Sequence, residues 1–244
     1  MIEELAKILE SSTKNFDICG FITRDGNVYP LGTDTKVLST VFELIIRPTV
    51  VEVAEKHGYE VEEPEAQNHY PDFTLKPKNG DKKYIALDVK TTYRRGKRAK
   101  FGYTLGGYTS FIKKETPTKN IVHHFDHYES HYIVGFVYTR VAEKKAAEAK
   151  TFKVSSLNQI VSPYDDVELF VQEKWRVAGD SAGSGNTTNI GSVSATLEEF
   201  REGKGIFQSE DEFLEYWRGY GRTNAERKYK NITDFRKLKG QGGL

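Results

Sequence analysis

Asp72, Asp88 and Lys90 stand out in the stretch YPDFTLKPKNGDKKYIALDVKTTY, which runs from Tyr70 to Tyr93. Asp72 follows a proline, and Lys90 comes two residues after Asp88. Residues 84–93 alternate with period two. Ile85, Leu87 and Val89 fall on one face, and Ala86, Asp88 and Lys90 on the other. Asp72-Phe73-Thr74-Leu75 reads as a second short strand, and Asn79-Gly80 as the turn between them. Register decides whether the acids meet. A two-residue loop at Asn79-Gly80 pairs Asp72 with Leu87 and puts the acids on opposite faces. A three-residue loop over 79–81, with Gly80 or Asp81 left-handed, pairs Asp72 with Asp88. The second register is the expected one.

The chemistry such a set can do is metal-assisted phosphodiester hydrolysis. Two carboxylates hold a hard divalent cation, with waters in the remaining positions. The cation neutralises phosphate charge and acidifies a bound water. A lysine beside it orients that water or stabilises developing charge. The other reading is a solvated strand face that carries Asp-x-Lys by chance. Spacing alone does not choose between the two.

The elements around the hairpin must position these groups. Residues 2–9 pattern as a short amphipathic helix and 16–22 as a strand, with a turn at Arg24-Asp25-Gly26-Asn27. Asp34 or Thr35 caps a long helix from Lys36 to His57 that Gly58 stops and Pro48 should kink. Its apolar stripe is Val37, Leu38, Val41, Phe42, Ile45, Ile46, Val53 and Ala54. Glu43 lies on its polar face with Lys36, Ser39, Thr40 and Arg47, as a solvated glutamate would. Tyr103 to Tyr108 carries two glycines, as a segment approaching something closely does. Residues 132–141 read as a buried strand and 167–178 as one or two more. Ser209 and Glu212 form a capping box for the helix holding Phe213, Tyr216 and Trp217. Residues 241–244 are expected to fray.

With 244 residues the chain suits one large domain, here taken as 1–244 with a smaller part over about 16–60 and a larger one over about 61–244. One cysteine, Cys19, excludes a disulfide framework and a cysteine-based zinc site. The N-terminal residues lack a signal-peptide pattern, and no apolar run approaches membrane-spanning length. A soluble cytoplasmic protein with no membrane partner is expected. The net charge of +1 gives no support for nucleic acid, but its distribution does. Residues 90–100 (KTTYRRGKRAK) carry six basic residues and no acid, and residues 218–239 carry eight against Glu226 and Asp234. Both are candidate phosphate-contacting patches, or ordinary solvated segments.

Two further patterns invite function. His123, His127 and His131 are spaced by four, as metal ligands on a helix can be, but no catalytic acid accompanies them. Gly183-Ser184-Gly185-Asn186-Thr187-Thr188-Asn189 is glycine-rich without being a phosphate-binding loop. It is either a flexible surface loop or a DNA-reading loop, in which Asn186 or Asn189 could bond an adenine edge at N6 and N7.

The Pro71-Asp72…Asp88-Val89-Lys90 set resembles the PD-(D/E)xK nuclease superfamily. Five blocks in order narrow this to the EcoRV restriction endonuclease family: PLGTDTKVLSTVFEL (30–44), QNHYPDFTL (67–75), TLGGYTSFI (104–112), AGSGNTTNIG (182–191) and EGKGIF (202–207). The resemblance covers roughly residues 16–220. It implies an α/β restriction-endonuclease-like fold, with a twisted mixed central sheet flanked by helices and a dimerisation part toward the N-terminus. It implies Mg²⁺ held by Asp72 and Asp88, Lys90 as third catalytic residue near the attacking water, and Glu43 as an auxiliary acid near a second metal position. Gly183, Ser184, Gly185, Asn186, Thr187 and Asn189 would read the major groove. Gln67, Asn68 and His69 would lie on the minor-groove side. Thr35, Thr92, Tyr93 and Ser110 would contact phosphates, and Arg94 and Arg95 join them from the basic patch. The family carries a basic residue and a glutamine where this chain has Glu65 and Ala66, a departure that bears on minor-groove contacts and not on chemistry.

The resemblance further implies cleavage of double-stranded DNA at GATATC, between T and A, to blunt ends with 5′-phosphates. A palindrome cut symmetrically implies a two-fold homodimer, and the central TA step is one that kinks easily. A cognate DNA methyltransferase is expected in the bacterial host, though not as a bound partner. Two alternatives are a nuclease of the same superfamily acting on repair or junction substrates, and a DNA-binding protein that has lost catalysis. The reading loop argues against the first, and the intact Asp72, Asp88 and Lys90 against the second.

Overall fold

The computed structural model describes residues 1–96, 98–141, 150–183 and 188–242, with only the backbone of residues 14 and 15. Five strands make the central sheet in the order β3 (Tyr59–Glu62), β4 (Phe73–Pro77), β5 (Tyr84–Tyr93), β7 (Tyr128–Arg140) and β9 (Tyr164–Glu173). β5 and β7 run parallel and the other neighbours antiparallel. A second sheet joins β6 (Thr104–Gly107), β10 (Ala178–Ala182) and β11 (Asn189–Ser192). A third joins β1 (Gly20–Ile22), β2 (Asn27–Pro30) and β8 (Phe152–Lys153). The helices are α1 (Ile2–Ser11), α2 (Thr35–Lys56), α3 (Lys174–Val177), α4 (Leu197–Arg201), α5 (Glu210–Gly219) and α6 (Ile232–Gly240). This is the mixed α/β architecture the sequence implies.

Both faces of the central sheet are covered, as its parallel pair requires. Ile85, Leu87 and Val89 face a core built on α1 and α2, where Phe42 stacks on Phe136 with ring centroids 4.8 Å apart. Ala86 and Ile133 face a second core that includes Tyr103, Phe170, Phe200, Tyr216 and Trp217. The alternation read from residues 84–93 therefore holds, and Asp88 and Lys90 lie on the second face.

Helix α2 starts where Asp34 accepts from Lys36 N (2.8 Å) and Val37 N (3.3 Å), and it stops before Gly58, whose φ is +79°. The helix continues through Pro48, which does not break it. The carbonyl this proline leaves unbonded belongs to Leu44, on the exposed side where water can reach it. The expected strand over 16–22 is reduced to Gly20–Ile22. Tyr164 explains the loss: its hydroxyl donates to Phe16 O (2.6 Å) and accepts from Ile18 N (3.3 Å), so a side chain takes the bonds a ladder would use. Ser209 caps Glu212 N at 3.1 Å, but the Glu212 carboxylate accepts from Gln208 N instead of closing the box.

The histidines spaced by four do not share a helix. His127 ends a single 3₁₀ turn and His131 is buried in β7, where its Nδ1 meets the Tyr70 hydroxyl at 2.9 Å. His123 pairs instead with Glu62 at 2.8 Å. Among the described residues, no helix is long and apolar enough to cross a membrane.

Candidate active site

The β4–β5 hairpin sets the site. Phe73 pairs with Leu87, Thr74 with Ala86 and Leu75 with Ile85. Continued by one residue, that register puts Asp72 opposite Asp88. Gly80 takes φ +84°, and Asp81 N donates to Asn79 Oδ1 at 3.0 Å. This is the register of a turn centred on Gly80. Asp72 Oδ2 accepts from Val89 N at 2.6 Å, which ties the first acid to the second strand.

Asp88 is buried, with 4% exposure. Lys90 Nζ lies 2.7 Å from its Oδ2 and donates to Val89 O at 3.0 Å. The first contact is an ion pair off hydrogen-bond geometry, so Asp88 Oδ2 is a buried oxygen on which no hydrogen bond ends. Crowding has a titration signature. Burial, and then the charge of Asp88, push Asp72 up to about 7, against the pull of Lys90 and the Val89 N–H. Burial works against the Lys90 charge, but the charges of Asp88 and Asp72 outweigh it, and Lys90 sits above the ordinary lysine value.

Glu43 reaches this group electrostatically and not by contact. Burial, and then Glu63, raise its pKa, while Lys90 lowers it. Among the described residues, no three His, Cys, Asp or Glu side chains converge as a metal cluster. Glu43 therefore does not join Asp72 and Asp88 in one three-acid cluster, and its expected place near a second metal position stays a proposal. The chemistry of the donor set still fits a hard cation: two carboxylates, one with a buried oxygen that only the Lys90 ammonium approaches and one whose ionisation burial and the neighbouring acid oppose. Phosphate oxygens and waters complete such a shell.

A cleft of about 380 Å³ opens above the pair. Gln67, Asn68 and His69 line one side, Gly106, Gly107 and Ser110 another, and Asn189 a third. Sequence reasoning missed Thr109, Lys119 and Asn120, which also line it. They sit in an aperiodic loop, and only Asn120, with φ +59°, carries a turn-former's signature. A neighbouring recess of about 350 Å³ gathers Thr92, Tyr93 and Arg95 with Arg98, Lys100 and Gly183. Thr35, exposed at the start of α2, lines neither. Arg94 departs from the expected phosphate role: it donates to Asp166 O at 2.7 Å and pairs with Glu168. Ser184, Gly185, Asn186 and Thr187 lie outside the described residues. The strands that carry them, β10 and β11, pair antiparallel, and β11 pairs with β6 at the cleft wall.

A chance Asp-x-Lys on a solvated face would not bury its acid or crowd a second one against it. The molecule that builds such a pair from the central strand of a mixed sheet, at the wall of an open cleft, is a nuclease of the restriction-endonuclease fold. A family model described as restriction endonuclease EcoRV matches residues 12–240. The type II restriction enzyme EcoRV of Escherichia coli is 56% identical over 236 residues, covering 96% of this chain and 95% of that relative. The chain belongs to the EcoRV restriction endonuclease family.

Proposed function

We propose that the protein is a homodimeric, Mg²⁺-dependent type II endonuclease that cuts both strands of GATATC between T and A, leaving blunt ends with 5′-phosphates. The observation that carries the chemistry is the Asp72–Asp88–Lys90 group, which sits in one cleft with the 67–69 loop and Asn189. Kinship to an enzyme 56% identical supports the site.

Asp72 and Asp88 would hold the cation, which supplies charge neutralisation at the phosphate and a more acidic water. Lys90 is raised above the ordinary lysine value by the charges of the two aspartates, so in the metal-free protein it is a donor and a positive charge. It can orient the attacking water and meet charge building on the phosphate. Glu43 acts on this group through its field. Ser110 and Asn68 border the cleft where a phosphate and the minor-groove edge would pass. Gly183 and Asn189 frame the loop that would enter the major groove. Acting on DNA, the enzyme would work in a bacterial cytoplasm whose own sites a methyltransferase protects.

Digestion of a plasmid of known sequence, followed by sequencing of fragment ends, tests the site. Blunt ends at GAT/ATC are expected. Overhangs, or ends at another hexamer, would break the link between the 183–189 loop and the sequence read.

Symmetric cutting and the third sheet support the dimer. Phe21, Ile22 and Tyr29 are 52%, 66% and 50% exposed on β1 and β2. Val154, Leu157 and Val161, in the segment after β8, are exposed as well. Such a patch marks an interaction surface. Residues 20–30 and 152–161 are the proposed dimerisation surface; the first segment lies within the 16–60 part expected and the second outside it. Ile22→Glu should shift the protein from dimer to monomer in sedimentation velocity and suppress double-strand cleavage. A dimer unchanged by that substitution places the interface elsewhere.

A further inference from the structure

Lys174 opens α3 and is 4% exposed. A lysine this deeply buried is ordinarily paired with a carboxylate. Among the described residues, its ammonium makes no hydrogen bond or ion pair. It lies instead 4.4 Å from the Tyr70 ring centroid and 5.6 Å from that of Phe111, two rings stacked on each other. A Cβ placed on Gly106 would stand 3.9 Å from Nζ. Tyr70, Phe111 and Gly106 all line the cleft that holds Asp72, Asp88 and Lys90. The ammonium is therefore pressed against the inner wall of the candidate active site. Burial brings its pKa down to about 8, against the pull of Asp88, Glu210 and Asp72, with Lys90 adding to the fall. Lys174 and the cluster thus lie in each other's fields.

We propose that Lys174 is a positioning residue, a fixed internal charge that with Lys90 offsets Asp72 and Asp88 and so sets the balance between cation and phosphate affinity. Two ammoniums then share one field with Asp72 and Asp88, and Glu210 acts on Lys174 from outside the pair. The DNA-free protein holds a divalent cation weakly, and the wall of the cleft attracts a phosphate. The inference rests on the reading of Asp72 and Asp88 as metal ligands. Its signature is a pair of changes with opposite sign. In a protein medium of effective dielectric near 20, a unit charge roughly 10 Å away shifts the affinity for a dication by at least about tenfold.

Lys174→Met keeps the length and apolar stem that the buried seat accepts, and Lys174→Gln repeats the charge loss with another side chain. Two affinities would be measured on the full chain. One is Mn²⁺ binding without DNA by electron paramagnetic resonance, counting only the binding that Asp88→Ala removes. The other is binding of a short fluorescent duplex containing GATATC in chelator, without metal. Both charge-loss variants should bind Mn²⁺ about tenfold more tightly and the duplex several-fold more weakly, and Lys174→Arg should return both toward the parent. If the two affinities fall together, if neither moves, or if both charge-loss variants fail to fold, Lys174 is a structural prop and the proposal is overturned. If Asp88→Ala leaves Mn²⁺ binding intact, the metal-ligand reading itself fails, whatever Lys174→Met does.

Discussion

Asp88→Ala should abolish Mg²⁺-dependent cleavage, by at least about 10⁴-fold, and leave a folded protein. The residue is buried, and removing a buried charge commonly strands its partner. Here Lys90 keeps a second counter-charge in Asp72. Asp72 in turn loses the neighbouring charge that helps push it up to about 7. The fold therefore loses one ion pair and one repulsion together, and its melting temperature should move little. Lys90→Ala should be similarly inactive. Single-turnover cleavage of a GATATC duplex, with circular dichroism on the same samples, reads both quantities. Near-parental turnover in Lys90→Ala would remove Lys90 from the site. Aggregation of Asp88→Ala would make Asp88 a structural residue.

The hairpin was legible because two local signals agree. Period-two alternation assigns the faces of β5, and Asn79-Gly80 supplies a turn whose glycine reaches positive φ. Register follows from both, since a slip by one would bury Asp88 and Lys90 against Phe42 and Phe136. The cap at Asp34 and the stop at Gly58 were legible for the same reason: each bonds within its own neighbourhood.

What stayed hidden depends on distant contacts. Arg94 reads as a free cation in a basic run until Glu168, on β9, takes it. Lys174 falls in the 167–178 segment read only as strand, and nothing local marks it; the approach of Tyr70 and Phe111 makes it internal. Residues 16–22 carry a strand's composition, yet Tyr164 captures the backbone at both Phe16 and Ile18. The four-residue spacing of the histidines suggests a helix, but the run from Tyr128 to Arg140, rich in β-branched and aromatic residues, extends as β7. How far Glu43 stands from Asp72 and Asp88 is set by the packing of α2 on the sheet, which no local pattern encodes.

Gly135 is the sharpest case of a position whose demand no local pattern shows, and Gly135→Ala should cost about 3 kcal/mol. It sits in β7 between Lys90 on β5 and Phe170 on β9. A Cβ there would meet Phe170 Cε1 at 2.3 Å and Cζ at 2.4 Å. Flexible side chains can yield to such contacts, but this ring has nowhere to go. Phe170 is fully buried, stacked on Phe200 at 5.0 Å and met edge-on by Tyr103 at 5.6 Å. The added methyl must displace the ring and its two neighbours, or push β7 away from β9. For a chain of this size the loss should lower the melting temperature by roughly 6–12 °C in thermal unfolding. Phe170→Leu alone opens a void, but combined with Gly135→Ala it gives the methyl room, so the double variant should be more stable than the two single losses add up to. A Gly135→Ala chain within about 0.5 kcal/mol of the parent would mean that the ring is free to move. Because Lys90 pairs with Gly135 across the parallel ladder, any shift of β7 also reaches the candidate active site. Cleavage measured well below the melting temperature should therefore fall in Gly135→Ala and recover with Phe170→Leu. Stability lost without that fall would show that β5 holds Lys90 in place independently of the strand beside it.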